Sequence, residues 1–124
     1  MVSVNAQHFI DVMNITHSKT QMEPVLDLAI DTLNLYGATS ISNMTGDAGS
    51  KTVTLTSKQR AGVFLIARMI YYDFYVGIEN VSAPVTVTAA NLLTNPAYVS
   101  ALREISKRLS TVKFAVAEDT SGIE

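Results

Sequence analysis

The sequence predicts a mainly α fold: a small four-helix bundle with an inserted β-hairpin at about 38–56 and a C-terminal tail. Three observations predict it. Apolar residues recur at three- and four-residue steps in several separate stretches, the period of a helix with one buried face. Most of these stretches open on a residue suited to capping a helix. Thr52-Val53-Thr54-Leu55-Thr56 alternates strictly, which is the period of a half-buried strand.

The first helix is expected over Asn5–Met13, with Asn5 as cap, Val4 and Phe9 placed for a hydrophobic staple, and Phe9, Ile10 and Met13 on one face. A polar break from Asn14 to Lys19 follows. Thr20-Gln21-Met22-Glu23 fits a capping box and predicts the second helix, with Pro24 in its first turn. Met22, Val25, Leu26, Ala29 and Leu33 form its apolar face, and Gly37 supplies the C′ stop. Ile41, Met44, Val53 and Leu55 then alternate with small polar residues on both sides of Gly46-Asp47-Ala48-Gly49. That arrangement predicts a hairpin whose tip, Gly46–Ser50, holds no fixed shape.

A second capping box, Thr56-Ser57-Lys58-Gln59, opens a central helix over about 57–76. This helix is apolar nearly all round, interrupted only by Arg60, Arg68 and Asp73, so helices or neighbouring subunits should surround it. Gly77 should end it, with irregular chain through Pro84. A short helical turn is expected near Thr88–Leu93. Asn95-Pro96 starts the last helix, whose seam runs through Tyr98, Leu102, Ile105, Leu109 and Val112, with Glu104 set to pair with Arg108. The reading is one domain over 1–112 and a tail over 113–124.

With 124 residues, 48% of them apolar, the chain can build a real core. Its charged share of 16% is low and its mean hydropathy of +0.23 is positive, which suits an oligomer. The absence of cysteine excludes disulfides, thiolate metal sites and cysteine catalysis. The longest apolar run, Ala61–Ala67, is too short to span a bilayer, and no signal peptide is visible. A net charge of −2 argues against a chain-wide attraction to nucleic acid. The charge is nevertheless segregated. Residues 1–50 carry one base against five acids, residues 51–113 carry eight bases against three acids, and the final stretch is acidic again. Such halves can be satisfied within one fold or can face each other across a repeated head-to-tail contact.

No motif survives as a catalytic or cofactor site. Gly46-Asp47-Ala48-Gly49-Ser50-Lys51-Thr52 lacks the spacing and the following helix of a phosphate loop. Glu23, Asp27 and Asp31 stand four apart on one helix face, as a solvated row or a subunit contact rather than a metal site. His8 and His17 have no matching acid or serine context for an acid–base or metal site. Tyr71, Tyr72, Phe74 and Tyr75 can stack bases, but at the end of a buried helix they read as core or interface. The expectation is a non-enzyme without cofactor or metal.

The order of elements, together with Val53-Thr54-Leu55-Thr56 running into Arg60-Ala61-Gly62-Val63, the Tyr71-Tyr72-Asp73-Phe74-Tyr75 helix end and Leu92-Leu93-Thr94-Asn95-Pro96, resembles the head–tail connector (adaptor) proteins of tailed bacteriophages. The likeness spans about residues 4–112. It implies a structural virion protein, made in the host cytoplasm and sited in the neck, that extends the DNA channel from portal to tail. It further implies a homo-oligomeric ring of about twelve copies, contacts with the portal protein and a tail, stopper or terminator protein, and passage of DNA without sequence-specific binding. In such a ring Glu23, Asp27 and Asp31 of one subunit are expected near Arg103, Lys107 and Arg108 of the next. Gly46, Asp47, Gly49 and Lys51 form a loop toward the channel or a partner, and Phe114 and Val116 dock the tail on the portal. The alternative is a small helical nucleic-acid-binding accessory protein using Arg103, Lys107, Arg108 and Lys113.

Overall fold

The computed structural model describes residues 1–75 and 87–121, with the side chains of the last helix described up to Leu109. Among the described residues the protein is mainly helical. Five helices, α1 (Ala6–Met13), α2 (Lys19–Tyr36), α3 (Ser57–Phe74), α4 (Ala89–Leu92) and α5 (Pro96–Ser121), are joined to a two-stranded sheet of β1 (Val2–Asn5) and β2 (Thr52–Leu55).

Local capping chemistry sets most boundaries. The Asn5 side chain accepts from the His8 amide and starts α1; Asn14, in the left-handed region at φ 56°, ends it. Asparagine tolerates that conformation better than most residues. Thr56 and Gln59 form the expected capping box of α3, Thr88 and Asn91 one for α4, and Asn95 Oδ1 accepts from the Ala97 amide before α5. Gly37, at φ 94°, closes α2, and the amides of Gly37 and Ala38 both reach the Leu33 carbonyl.

The start of α2 differs from expectation. The cap is Ser18, not Thr20, and the reciprocal partner is Gln21. Pro24 therefore lies inside the helix rather than in its first turn, leaving the Thr20 carbonyl without the usual amide. The Ser18 box prevails because Glu23, which the Thr20 box needs, is engaged elsewhere.

The strand pairing is also corrected. Thr52–Leu55 is a strand, as its alternation predicts, but its ladder partner is β1, antiparallel, with Val4 opposite Val53 and Val2 opposite Leu55. From the 38–51 side only Thr45 pairs, through an isolated bridge to Thr52. The reason lies in α2. Asn34 clamps Ile41 with bonds in both directions, and Asp27 accepts from the Met44 amide, so residues 41–44 are drawn onto α2 instead of along β2. The expected break at 113 is absent too: the backbone of α5 continues to Ser121. Gly77, Pro84 and the side chains of Val112, Lys113, Phe114 and Val116 lie outside the described residues.

The core lies where α2 and α3 pack against each other, with α1 and α4 against α2 and α5 against α3. Phe9, Met22, Leu26, Ile30, Ile66, Ile70, Tyr98 and Leu102 are fully enclosed, and Phe9 meets Phe64 edge to face at 5.3 Å. At Gly62 α3 and α5 are in tight contact: a Cβ there would stand 2.8 Å from Ile105 Cγ2. Ile105 is β-branched and stiff in a helix, so it cannot swing aside cheaply. Gly62→Val should therefore destabilise the fold by about 1–3 kcal/mol through overpacking, and adding Ile105→Ala should recover part of that loss. Urea titrations of the two variants measure both effects.

Candidate functional site

The acidic row on α2 turns inward to organise the polar loop that precedes β2. Glu23 is buried, at 3% exposure, and its two oxygens accept from the backbone amides of Gly49 (2.9 Å) and Lys51 (3.0 Å). Asp27, half-buried, takes the Met44 amide at 2.9 Å and the Asn43 side chain at 3.5 Å, while Asp31 holds the same Asn43 amide at 3.0 Å. These are charge-assisted bonds, and in a half-dry setting they are the stronger kind. The segment that superficially suggested a phosphate loop thus does cradle an anion, but the anion is this chain's own carboxylate.

Gly46 and Gly49 make the cradle possible, at φ 120° and 89°, where a side chain is strained. A bond from the Ser50 amide to the Asp47 carbonyl closes the turn between them. The expected shapeless tip is in fact tied to α2. Glu23 is accordingly removed from the expected subunit surface, since it is enclosed and its oxygens are spent. Asp31 alone of the three is exposed. Sequence reasoning missed this because the bonds join residues more than twenty positions apart, through backbone amides that carry no residue signature.

The aromatic end of α3 divides into two environments. Tyr71 and Tyr75 are buried and stack on each other with centroids 6.3 Å apart. His17 lies edge-on to both, and the Tyr71 hydroxyl sits 3.0 Å from His17 Nδ1 and 3.3 Å from Thr16 Oγ1. The break between α1 and α2 is thereby fastened to α3. Tyr72 is 46% exposed, with the Arg68 guanidinium 5.3 Å from its ring centroid.

Tyr98, the first buried residue of the α5 seam, donates its hydroxyl hydrogen to Asp73 Oδ2 at 2.7 Å and bolts α5 to the C-terminal end of α3. Burial pushes its phenol pKa upward, and the bond and negative charge of Asp73 push it further the same way.

On α5, Arg103, Lys107 and Arg108 are all exposed. Glu104 pairs with Lys107 at 3.5 Å rather than with Arg108, and at these exposures the pair adds little stability. Arg108 and Lys58 rim an open groove of about 530 Å³ between α3 and α5, floored by Ala61, Gly62, Leu65 and Ile105. A second cleft of about 440 Å³, mostly polar, lies beside β2 between Ser40–Asn43 and Thr54. Among the described residues no group of three His, Cys, Asp or Glu side chains is arranged to hold a metal ion. No helix among them is long and apolar enough to cross a membrane.

Two outcomes follow from this geometry. Glu23→Gln leaves one acceptor and turns an amide NH₂ toward a backbone donor, so it should cost about 1–3 kcal/mol and speed hydrogen exchange at Gly49 and Lys51, read by NMR. Tyr98 keeps its proton in the folded state when the unfolded chain loses it, so its contribution is complete below about pH 10 and fades as pH rises beyond it. Denaturant midpoints should fall above that pH, and less steeply in Tyr98→Phe, which should itself cost about 1–2 kcal/mol at neutral pH.

No family model, curated protein or solved structure matches this chain.

Proposed function

We propose that the chain is a structural subunit of the connector type, with α1, α2, α3 and α5 as its four-helix bundle. Copies assemble into a ring that joins portal to tail in the neck of a virion and prolongs the DNA channel, with no reaction catalysed. The observation that carries this reading is the surface of α3. A helix at the centre of the fold, packed on α2 and α5, still exposes Leu65 and Tyr72 at 40% and 46%. Large apolar side chains at two places on one outward helix face suit a subunit that is completed by neighbours. The low charge of the chain and the element order that resembles connector proteins support the same reading.

A different reading keeps one specific support: Arg103, Lys107 and Arg108 on the exposed side of α5 suit contacts to phosphates. Sedimentation and negative-stain imaging of the purified chain separate the two. A connector subunit should sediment as a closed oligomer of about twelve copies and appear as an annulus. A monomer whose DNA affinity falls steeply with salt would replace this reading with the nucleic-acid one.

A further inference from the structure

Two outward ridges of this chain share one spacing and carry opposite charge. On α2, Leu28, Asp31 and Leu35 stand at steps of three and four; on α3, Leu65, Arg68 and Tyr72 repeat the same steps. Residues spaced in this way line up along one stripe of a helix, the geometry by which helices pair side by side. Leu35 is 56% exposed, and Leu28, half-buried, packs against the core at the foot of the ridge. Each ridge is therefore apolar, charged, apolar, with a carboxylate at the centre of one and a guanidinium at the centre of the other.

The central charges are set for docking. Among the described residues Asp31 receives the Asn43 amide, on Oδ1, and its carboxylate is exposed with a second oxygen to offer. Arg68 is exposed and lies along the Tyr72 ring, which holds its fork beside the apolar part of the ridge. A carboxylate meeting a guanidinium there can form two parallel bonds. Within one molecule the ridges cannot meet, because α2 and α3 pack together through other faces, with Met22, Leu26 and Ile30 on one helix and Ile66 and Ile70 on the other.

We propose that the partner of each ridge is a second copy of this chain, the α2 ridge of one subunit lying along the α3 ridge of the next. Such a contact is heterologous: an open series always has an unmatched ridge at each end, and it stops only when the ring closes. The inference rests on the assembly reading above and names its contact, which uses α3 rather than the basic residues of α5 expected from the charge pattern.

Charge reversal tests it. Asp31→Arg and Arg68→Glu are both at exposed positions, and circular dichroism and thermal midpoints establish that each variant folds. Each alone places like charges in every contact and should weaken assembly by at least about tenfold, seen as a monomer by light scattering. Mixed in equal amounts the two variants should co-assemble, since every alternating contact is again between opposite charges. The double variant D31R/R68E should assemble by itself. If the wild-type chain assembles and either single variant assembles equally well, or if the folded mixture stays monomeric, the ridge pairing is wrong while the ring reading stands. If the wild-type chain is monomeric, both readings fall together.

Discussion

The carboxylate of Glu23 is the constraint on which the irregular half of the fold depends. It sits on the second turn of α2, enclosed by the loop that leads into β2, and it answers two backbone amides that would otherwise be left dry. Once that loop is fixed, Thr52 is placed to start β2, and β2 in turn gives β1 its partner. The same engagement shifts the helix start. A carboxylate tied to Gly49 and Lys51 cannot also reach back to cap α2, so Ser18 and Gln21 take that task and Pro24 is carried into the helix. One side chain thus sets a loop, a strand register and a helix boundary.

Much of the fold could be read locally, and the reasons it could are specific. Asn5, Thr56 and Asn95 cap their helices because a short polar side chain answers amides only two or three residues away, a relation the sequence displays openly. What escaped depends on distance. Ser18-x-x-Gln21 and Thr20-x-x-Glu23 overlap, and only a loop twenty-six residues downstream of Glu23 decides between them. β1 has the length of β2, but its existence depends on a partner strand about fifty residues away. The acidic row was legible as a row on one face, but not as the anchor of a loop. The exposed ridge of α3 was hidden by a sequence that is apolar nearly all round, where periodicity has little contrast.

The charge of residues 1–50 accordingly overstates what neighbouring molecules meet. Glu23 is enclosed and Asp27 is half-enclosed and bonded to the loop, whereas Asp31 faces outward. On the basic side Lys58, Arg68, Arg103, Lys107 and Arg108 are exposed, while Lys51 and Arg60 are half-buried. Around α2 the surface is therefore less acidic than the sequence of residues 1–50 suggests. A subunit lying along a DNA channel and one that grips nucleic acid directly would share this property, which is why the oligomeric state rather than the charge separates the two readings.

The pairing of Val2 with Leu55 and Val4 with Val53 has a consequence for the order in which the structure forms. It closes a loop of about fifty residues whose entropy cost must be met before the two strands return any stabilisation. Both α1 and α2 lie inside that loop. Their capped helices and their packing on each other involve nearer neighbours and can form before it closes. Val4 and Phe9, which the finished fold encloses almost completely, must wait for β2 and α3 to cover them. Until then the N-terminal segment is an unpaired strand edge beside an open apolar surface, the combination that favours pairing with another chain over self-burial. Refolding yield should thus be governed by how quickly β2 arrives relative to encounters between molecules, which makes this the step most sensitive to protein concentration.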